Sequence, residues 1–405
     1  MTERTAQNTH VVVIGGGYAG VLAANRLQNG SDVAVTLVNP RPQFVERIRL
    51  HQMVAGNHGA TADYDTVLGA GVRLLVDGAE CIDADIRQVQ LTSGAVLDYD
   101  YLIYAVGSTS GVPASVPGAA EFAYPLSEFE QAQRLRARLA DVPMSAPVVV
   151  VGGGLTGIEA AGELAEQGRA VTLVTDVVGA SLGAGARRSV IKALTKLGVS
   201  IIDGPEILVS GVEPDAITLA DGNRIPSAVT VWTTGFGVPG LAAASGLTTD
   251  ELGRLLTDET LTSVDDDHIV AAGDAAAPSG LPLRMSCQSA GPLGVQAGNT
   301  VLARISGTEP EGINQAFAGQ CVSVGRNAGT VQLCHSDDSP RRVYIGGRTA
   351  AFVKEQVCRA TVTFLGKEGR KPGSYFWFKG ENRARQLAEA QQETLVTADA
   401  RSKKI

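Results

Sequence analysis

Two stretches of the chain set glycines after an apolar strand in the spacing that holds a pyrophosphate: "VVVIGGGYAGVLAANRL", Val11 to Leu27, and "VVVVGGGLTGIEAAGEL", Val148 to Leu164. Gly15 and Gly152 allow a tight turn. Gly17 and Gly154 let an anion approach backbone N–H groups at a helix N-terminus, and Gly20 and Gly157 let the helix pack on the strand. One such motif is a common glycine turn. Two in full strand, turn and helix context predict two bound dinucleotides.

The chain that must position these turns has 405 residues, 44% apolar and 19% charged, enough for two or three domains with their own cores. No apolar run reaches the roughly eighteen residues that cross a bilayer. The opening "MTERTAQNTH" is polar with no signal region, so the expectation is a frayed tail on a cytoplasmic protein. Cys81, Cys287, Cys321, Cys334 and Cys358 are scattered, with no CxxC spacing, which excludes a redox dithiol and a zinc ribbon; no metal site is expected. The net charge of −8 disfavours nucleic acid.

Further strands supply the remaining contacts. "VAVTLVN" ends at Asn39, where a dinucleotide fold meets the adenosine ribose; the side chain there is an amide, not the usual carboxylate. "AVTLVTD" reads as ending at Asp176, a carboxylate suited to a ribose 2′-hydroxyl and repulsive to a 2′-phosphate, which favours NADH. Arg187 and Arg188 follow closely enough to bind such a phosphate, so NADPH stays open. "LTSGAVLDYDYLIYAVGS" is a hairpin and a buried strand ending at Gly107, and "HIVAAGDAA" is a buried strand ending at Gly273 and Asp274.

Together "VIGGGYAG", "YDYLIYAVGS" and "VAAGDAA" resemble the three FAD-contact motifs of the two-dinucleotide-domain flavoproteins, the family of glutathione reductase, type II NADH dehydrogenase and the apoptosis-inducing-factor-like flavoproteins. "YAVGS" departs from the usual alanine-threonine-glycine at Val106. The resemblance implies an α/β chain with two Rossmann-like domains, the NAD(P) domain (113–237) inserted in a discontinuous FAD domain (1–112 and 238–320), and a small α+β C-terminal domain (321–405). It implies that Asp274 accepts hydrogen bonds from the flavin ribityl chain, with a following helix N-terminus supporting its charge. It places Glu159 near the nicotinamide, beside the simpler reading of an acid at a helix start.

The same resemblance frames the electron acceptor. Where disulfide reductases carry their dithiol, this chain reads "RPQFVERIRLHQMVAG", without cysteine. His51 there is either a proton donor or shaping group near the flavin, or a buried histidine satisfied by backbone. Type II NADH dehydrogenases place glutamines at a quinone pocket; the matches here are Gln288, after Cys287, and Gln296. From Pro340 to Ile405 fourteen Lys and Arg face six Asp and Glu, and Tyr375 to Phe378 lie among them, a mixture suited to anionic lipid or to a solvated tail. The expected activity is NADH to FAD to quinone. The alternatives are a ferredoxin or rubredoxin reductase and an NADH-sensing binding module; the oligomeric state is open. Asp176 makes a direct prediction: NADH reduces the bound flavin faster than NADPH in stopped flow. Equal rates would transfer the coenzyme assignment to Arg187 and Arg188.

Overall fold

The structure, a computed structural model, describes residues 8–390 and residue 392. Residues 1–7 of the expected frayed start, and residues 391 and 393–405 of the basic tail, lie outside the described residues.

In chain order the elements that matter are β1 (Thr9–Ile14), α1 (Tyr18–Leu27), β2 (Val33–Asn39), α2 (Leu50–Val54), β3 (Val72–Val76) and β4 (Tyr101–Tyr104). Next come β5 (Ala123–Pro125), β6 (Pro147–Val151), α3 (Leu155–Glu166), β7 (Ala170–Thr175), α4 (Ala184–Lys196), β8 (Ser200–Asp203) and β9 (Val229–Trp232). The chain continues through β10 (Ile269–Ala271), α5 (Cys287–Ile305), β11 (Gly319–Val324), β12 (Ala328–Cys334), β13 (Pro340–Gly346) and α6 (Gly347–Arg370).

Valine-rich runs such as Val11–Val13 and Val148–Val150 are fully buried, as strands covered on both faces must be. They build two parallel sheets, β10-β4-β1-β2-β3 and β5-β9-β6-β7-β8. The strands of the second lie in sequence between β4 and β10 of the first, and where the chain passes between them Thr109–Ser110 pairs antiparallel with Phe236–Gly237. A third sheet, β11-β12-β13, is antiparallel and packs against α6. Parallel sheets bind ligands beyond the carboxyl ends of their strands, and both glycine turns stand there, after β1 and β6.

Helix α1 is held by α5 and α6. Gly294 and Gly298 of α5 bring the backbones together: a Cβ on Gly294 would stand 2.2 Å from the Ala19 carbonyl oxygen. From α6, the fully buried Glu368 pairs with Arg26 (2.6 Å) and accepts the Gly373 and Tyr375 N–H groups (2.9 and 2.6 Å). Asn25 donates to the carbonyls of Val67 and Leu365 (2.8 and 3.1 Å). Losing one partner of a buried ion pair costs about 3–5 kcal/mol. Glu368→Gln should therefore lower the melting temperature by roughly 5–10 °C, measured by circular dichroism, and an unchanged melt would show that Arg26 finds another partner.

Candidate functional site

The two glycine turns share one geometry. Gly15 and Gly152 take φ of +104° and +114°, which favours glycine, and a Cβ on Gly20 or Gly157 would lie 1.8 or 1.9 Å from the carbonyl oxygen of Gly15 or Gly152. Above Gly17 and Gly154 a Cβ would meet nothing within 4 Å. These two exposed glycines cap α1 and α3, and neither helix carries an acid in its first turn. The turns thus offer open space, free N–H groups and the positive end of a helix dipole, which fits the pyrophosphates of FAD and of a nicotinamide dinucleotide.

Both copies lock the middle glycine with the last residue of the adjoining strand. Gly16 N–H donates to Asn39 Oδ1 (3.0 Å), and Gly153 N–H donates to Thr175 Oγ1 (2.9 Å). Asn39 also donates to the Arg41 carbonyl (2.8 Å), so its amide already serves the turn at both ends. Strand β7 ends at Thr175, one residue before the sequence reading. Asp176 is exposed just beyond it; its Oδ1 accepts from Val177 N–H and Thr175 Oγ1 (2.7 and 3.0 Å), and Oδ2 has no partner among the described residues. Arg188 is exposed, and the half-buried Arg187 leaves its Nε unpaired among the described residues.

Asp274 sits in a single 3-10 turn, Gly273–Ala275, followed by extended chain, and α5 starts only at Cys287. The expected helix N-terminus behind Asp274 is absent because Ala276–Pro278 pairs as a strand with Leu255–Thr257. A relay of side chains takes its place: Ser108 Oγ donates to Asp274 Oδ2 (2.7 Å) and accepts from Arg47 (3.1 Å), which also donates to the Ser127 carbonyl (3.0 Å). Gly107 and Gly273 take φ of +73° and +72° at the ends of their strands.

Glu159 and His51 meet in a buried cluster that sequence reading did not assemble. Glu159 Oε1 lies 3.0 Å from Lys354 Nζ and accepts from Ser323 N–H and Oγ (3.0 and 3.2 Å); its Oε2 is 3.6 Å from His51 Nδ1. Burial alone would lower the Lys354 ammonium, but Glu159, and then the Cys321, Cys358 and Cys287 thiols, outweigh it and hold it above its usual range. Burial would raise Glu159; Lys354, His51 and Ser323 reverse that and hold it below the usual carboxylate range. Burial drives the His51 pKa down to about 4, against the pull of Glu159, so the ring is neutral, and its Nε2 is buried without a partner among the described residues.

One turn further along α3, the fully buried Glu163 pairs with Arg326 (3.1 Å), which also reaches Glu355 (2.9 Å); Glu355 in turn receives Arg49 (3.0 and 3.1 Å). Lys354, Arg326 and Ser323 are separated from their α3 partners by more than 150 residues, and nothing local marks them.

The glutamines of α5 hydrogen-bond to backbone. The Gln288 amide donates to the Gly319 carbonyl (2.9 Å) and accepts from Ala318 N–H (3.1 Å), and Gln296 donates to the Glu311 carbonyl (2.5 Å). Pro292 lacks the N–H that would bind the Gln288 carbonyl, which receives Gln315 Nε2 instead (3.4 Å). Each amide thus has a backbone partner and keeps a second N–H.

With this geometry established, a family model described as pyridine nucleotide-disulphide oxidoreductase matches residues 9–297. The chain is 36% identical over 326 residues to an NADH dehydrogenase-like protein of Mycobacterium tuberculosis, covering 73% of this chain and 80% of that protein. It is 24% identical to a type II NADH:quinone oxidoreductase of Staphylococcus haemolyticus, covering 89% and 96%. The structure of NDH2 from Plasmodium falciparum in complex with NADH superposes with a TM-score of 0.75 at 14% identity, covering 92% of this chain and all of that one.

The depressed His51 pKa has a thermodynamic consequence. The unfolded chain takes up this proton below about 6.5 and the folded one only near 4, so stability from His51 is full above 6.5 and falls as pH drops between the two values, by at most ~1.4 kcal/mol per pH unit. His51→Asn should flatten the decline in melting temperature between pH 7 and pH 5. Equal slopes in the two proteins would remove His51 as its source.

Proposed function

The chain belongs to the pyridine nucleotide-disulphide oxidoreductase family, and from that premise we propose that this FAD-containing, NAD(P)H-using oxidoreductase takes hydride from NADH and delivers the electrons to a quinone. The observation that carries the first half is the pair of open glycine cradles, above Gly17 and Gly154, each at the carboxyl edge of its own parallel sheet. When bound, FAD supplies the hydride acceptor and the electron donor. The protein's part is to fix two rings against each other, which makes a bimolecular step effectively unimolecular.

In this reading residues 1–112 and 238–320 hold FAD, with Gly15, Gly17 and Gly20 around its pyrophosphate, Gly107 and Gly273 at the strand ends, and Asp274 accepting from the ribityl hydroxyls through its unpaired oxygen. Residues 113–237 hold NADH, with Gly152, Gly154 and Gly157 at the pyrophosphate and Asp176 Oδ2 at the adenosine ribose. Glu159 keeps the Lys354 ammonium charged inside the protein, and the neutral His51 completes its surroundings.

Two facts support quinone as the acceptor. The named relatives include a type II NADH:quinone oxidoreductase, and all five cysteines are free thiols, with none in the α2 region that follows β2. A lipid surface suits such an acceptor: no helix among the described residues can cross a membrane, but α6 turns Arg348, Phe352, Arg359, Phe364 and Lys367 outward. Phe376 and Phe378 beyond it are 76% and 60% exposed, while Tyr375 and Trp377 pack inward.

The test times the two half-reactions separately in stopped flow. NADH should reduce the flavin, and menaquinone or ubiquinone analogues should reoxidise it within the time of one steady-state turnover. If the reduced protein ignores both quinones and passes electrons quickly to an iron-sulfur protein, the carrier-reductase assignment replaces this one.

A further inference from the structure

The middle glycine of the first turn is held on both sides by side chains. Gly16 N–H donates to Asn39 Oδ1 (3.0 Å), and the Gly16 carbonyl accepts from the Tyr64 hydroxyl (2.9 Å). A Cβ on Gly16 would overlap that hydroxyl and crowd the Asn39 amide, so glycine is what admits both contacts. Tyr64 is 4% exposed, and burial pushes its phenol up, which keeps it a donor.

This contact reaches the open side of the turn through one peptide plane. The Gly16 carbonyl and the Gly17 N–H belong to the same trans peptide, so they point in opposite directions and can only rotate together. Whatever holds the carbonyl therefore aims the N–H, and Gly17 caps α1, where the free donors of the cradle stand. The second turn obeys the same rule with backbone alone: the Gly153 carbonyl accepts from Gly179 N–H (2.7 Å). Gly154 is thus aimed by the chain just beyond β7, and Gly17 by a side chain 48 residues from Gly16.

Tyr64 owes its place to α1 and to the far end of α6. It opens a one-turn helix, Tyr64–Val67, whose last carbonyl accepts from Asn25 of α1 (2.8 Å), and Gly69 N–H donates back to Asn25 Oδ1 (2.9 Å). Gly366 and Gly369 let α6 close on this segment: a Cβ on Gly369 would stand 2.8 Å from Gly69 N, and one on Gly366 would overlap the Thr66 carbonyl. The Tyr64 ring meets Phe44 edge-on, with centroids 6.5 Å apart. Packing presets the donor, and nothing in "TADYDTVLG" marks it.

We infer that Tyr64 is a positioning residue for the FAD pyrophosphate: through the Gly16 carbonyl it aims Gly17 N–H at the phosphate oxygens, a task that backbone alone performs in the second turn. The inference rests on the reading above that the first cradle holds FAD. Because Tyr64 acts on the turn, its loss weakens the pyrophosphate contact and spares both the surroundings of the isoalloxazine and the second cradle.

The experiment uses the holoprotein, purified in excess FAD so that mass action offsets any lost stability. Tyr64→Phe removes the hydroxyl and keeps the ring. Its FAD dissociation constant, read from the fluorescence of flavin released on dilution, should rise roughly five- to tenfold, the value of one hydrogen bond. The phosphorus NMR resonances of the bound pyrophosphate should shift, while the visible flavin spectrum and the NADH concentration that half-saturates flavin reduction stay as in the parent. Fluorotyrosine in place of Tyr64, which keeps the ring and makes the hydroxyl a stronger donor, should move the same resonances in the opposite sense. An unchanged dissociation constant, unmoved phosphorus resonances, or a flavin spectrum and NADH dependence that change along with them, as a general loss of packing requires, would each overturn the inference. Gly17→Val, where a Cβ meets nothing of the protein, tests the reading beneath it and should lose FAD. Full FAD occupancy in that variant takes the cofactor out of this cradle, and the reading falls together with the inference. Loss of FAD there beside an unchanged constant in Tyr64→Phe leaves the reading standing and removes Tyr64 alone.

Discussion

Helix α3 carries two carboxylates one turn apart, Glu159 and Glu163, both inside the protein. Neither could stay there alone, since an unpaired charge in the interior costs several kcal/mol and two of like sign repel. Their cations, Lys354 and Arg326, come from α6 and from the turn between β11 and β12. The helix that begins at the second glycine cradle is therefore electrically incomplete without the carboxy-terminal unit. Through Arg49 and Glu355 the same set of charges reaches the segment just before α2, so one ionic lattice joins parts of all three sheet systems. The ends of β1 and β6 can keep a fixed separation because of it.

What the sequence made legible is local chemistry. The glycines reveal themselves because a turn, a close approach and a helix start fall within ten residues, and the valine runs reveal buried strands because both faces are apolar. The Glu159 cluster was not legible, since its partners are brought together only by tertiary packing. Lys354 in "AAFVKEQVCR" looks like any lysine on an amphipathic helix, yet it is 8% exposed. Gln288 and Gln296 mark the limit of such reading: residue type does not say where an amide points, and the chain at Ala318, Gly319 and Glu311 supplies the backbone partners that orient them.

The doubled device is a copy in backbone more than in side chain. Asn39 and Thr175 do the same work, tying the middle glycine to the end of the adjoining strand, with an amide in one copy and a hydroxyl in the other. That equivalence places Pro40 opposite Asp176, so the carboxylate next to the second cradle has no counterpart at the first. The two sites are distinguished one residue beyond the shared lock, where solvent and ligand meet.

Helix α6, about 36 Å long at 1.5 Å per residue, is fastened near its start to α3 and near its end to α1, through Glu368, Leu365 and Asn25. It works as a tie-rod between the halves that carry the two glycine turns. Swinging one half away from the other would pull a buried acid off its base at one end or the other, a cost of about 3–5 kcal/mol. A chimera that exchanges the half built on β6 for that of a relative must therefore import the matching strut with it.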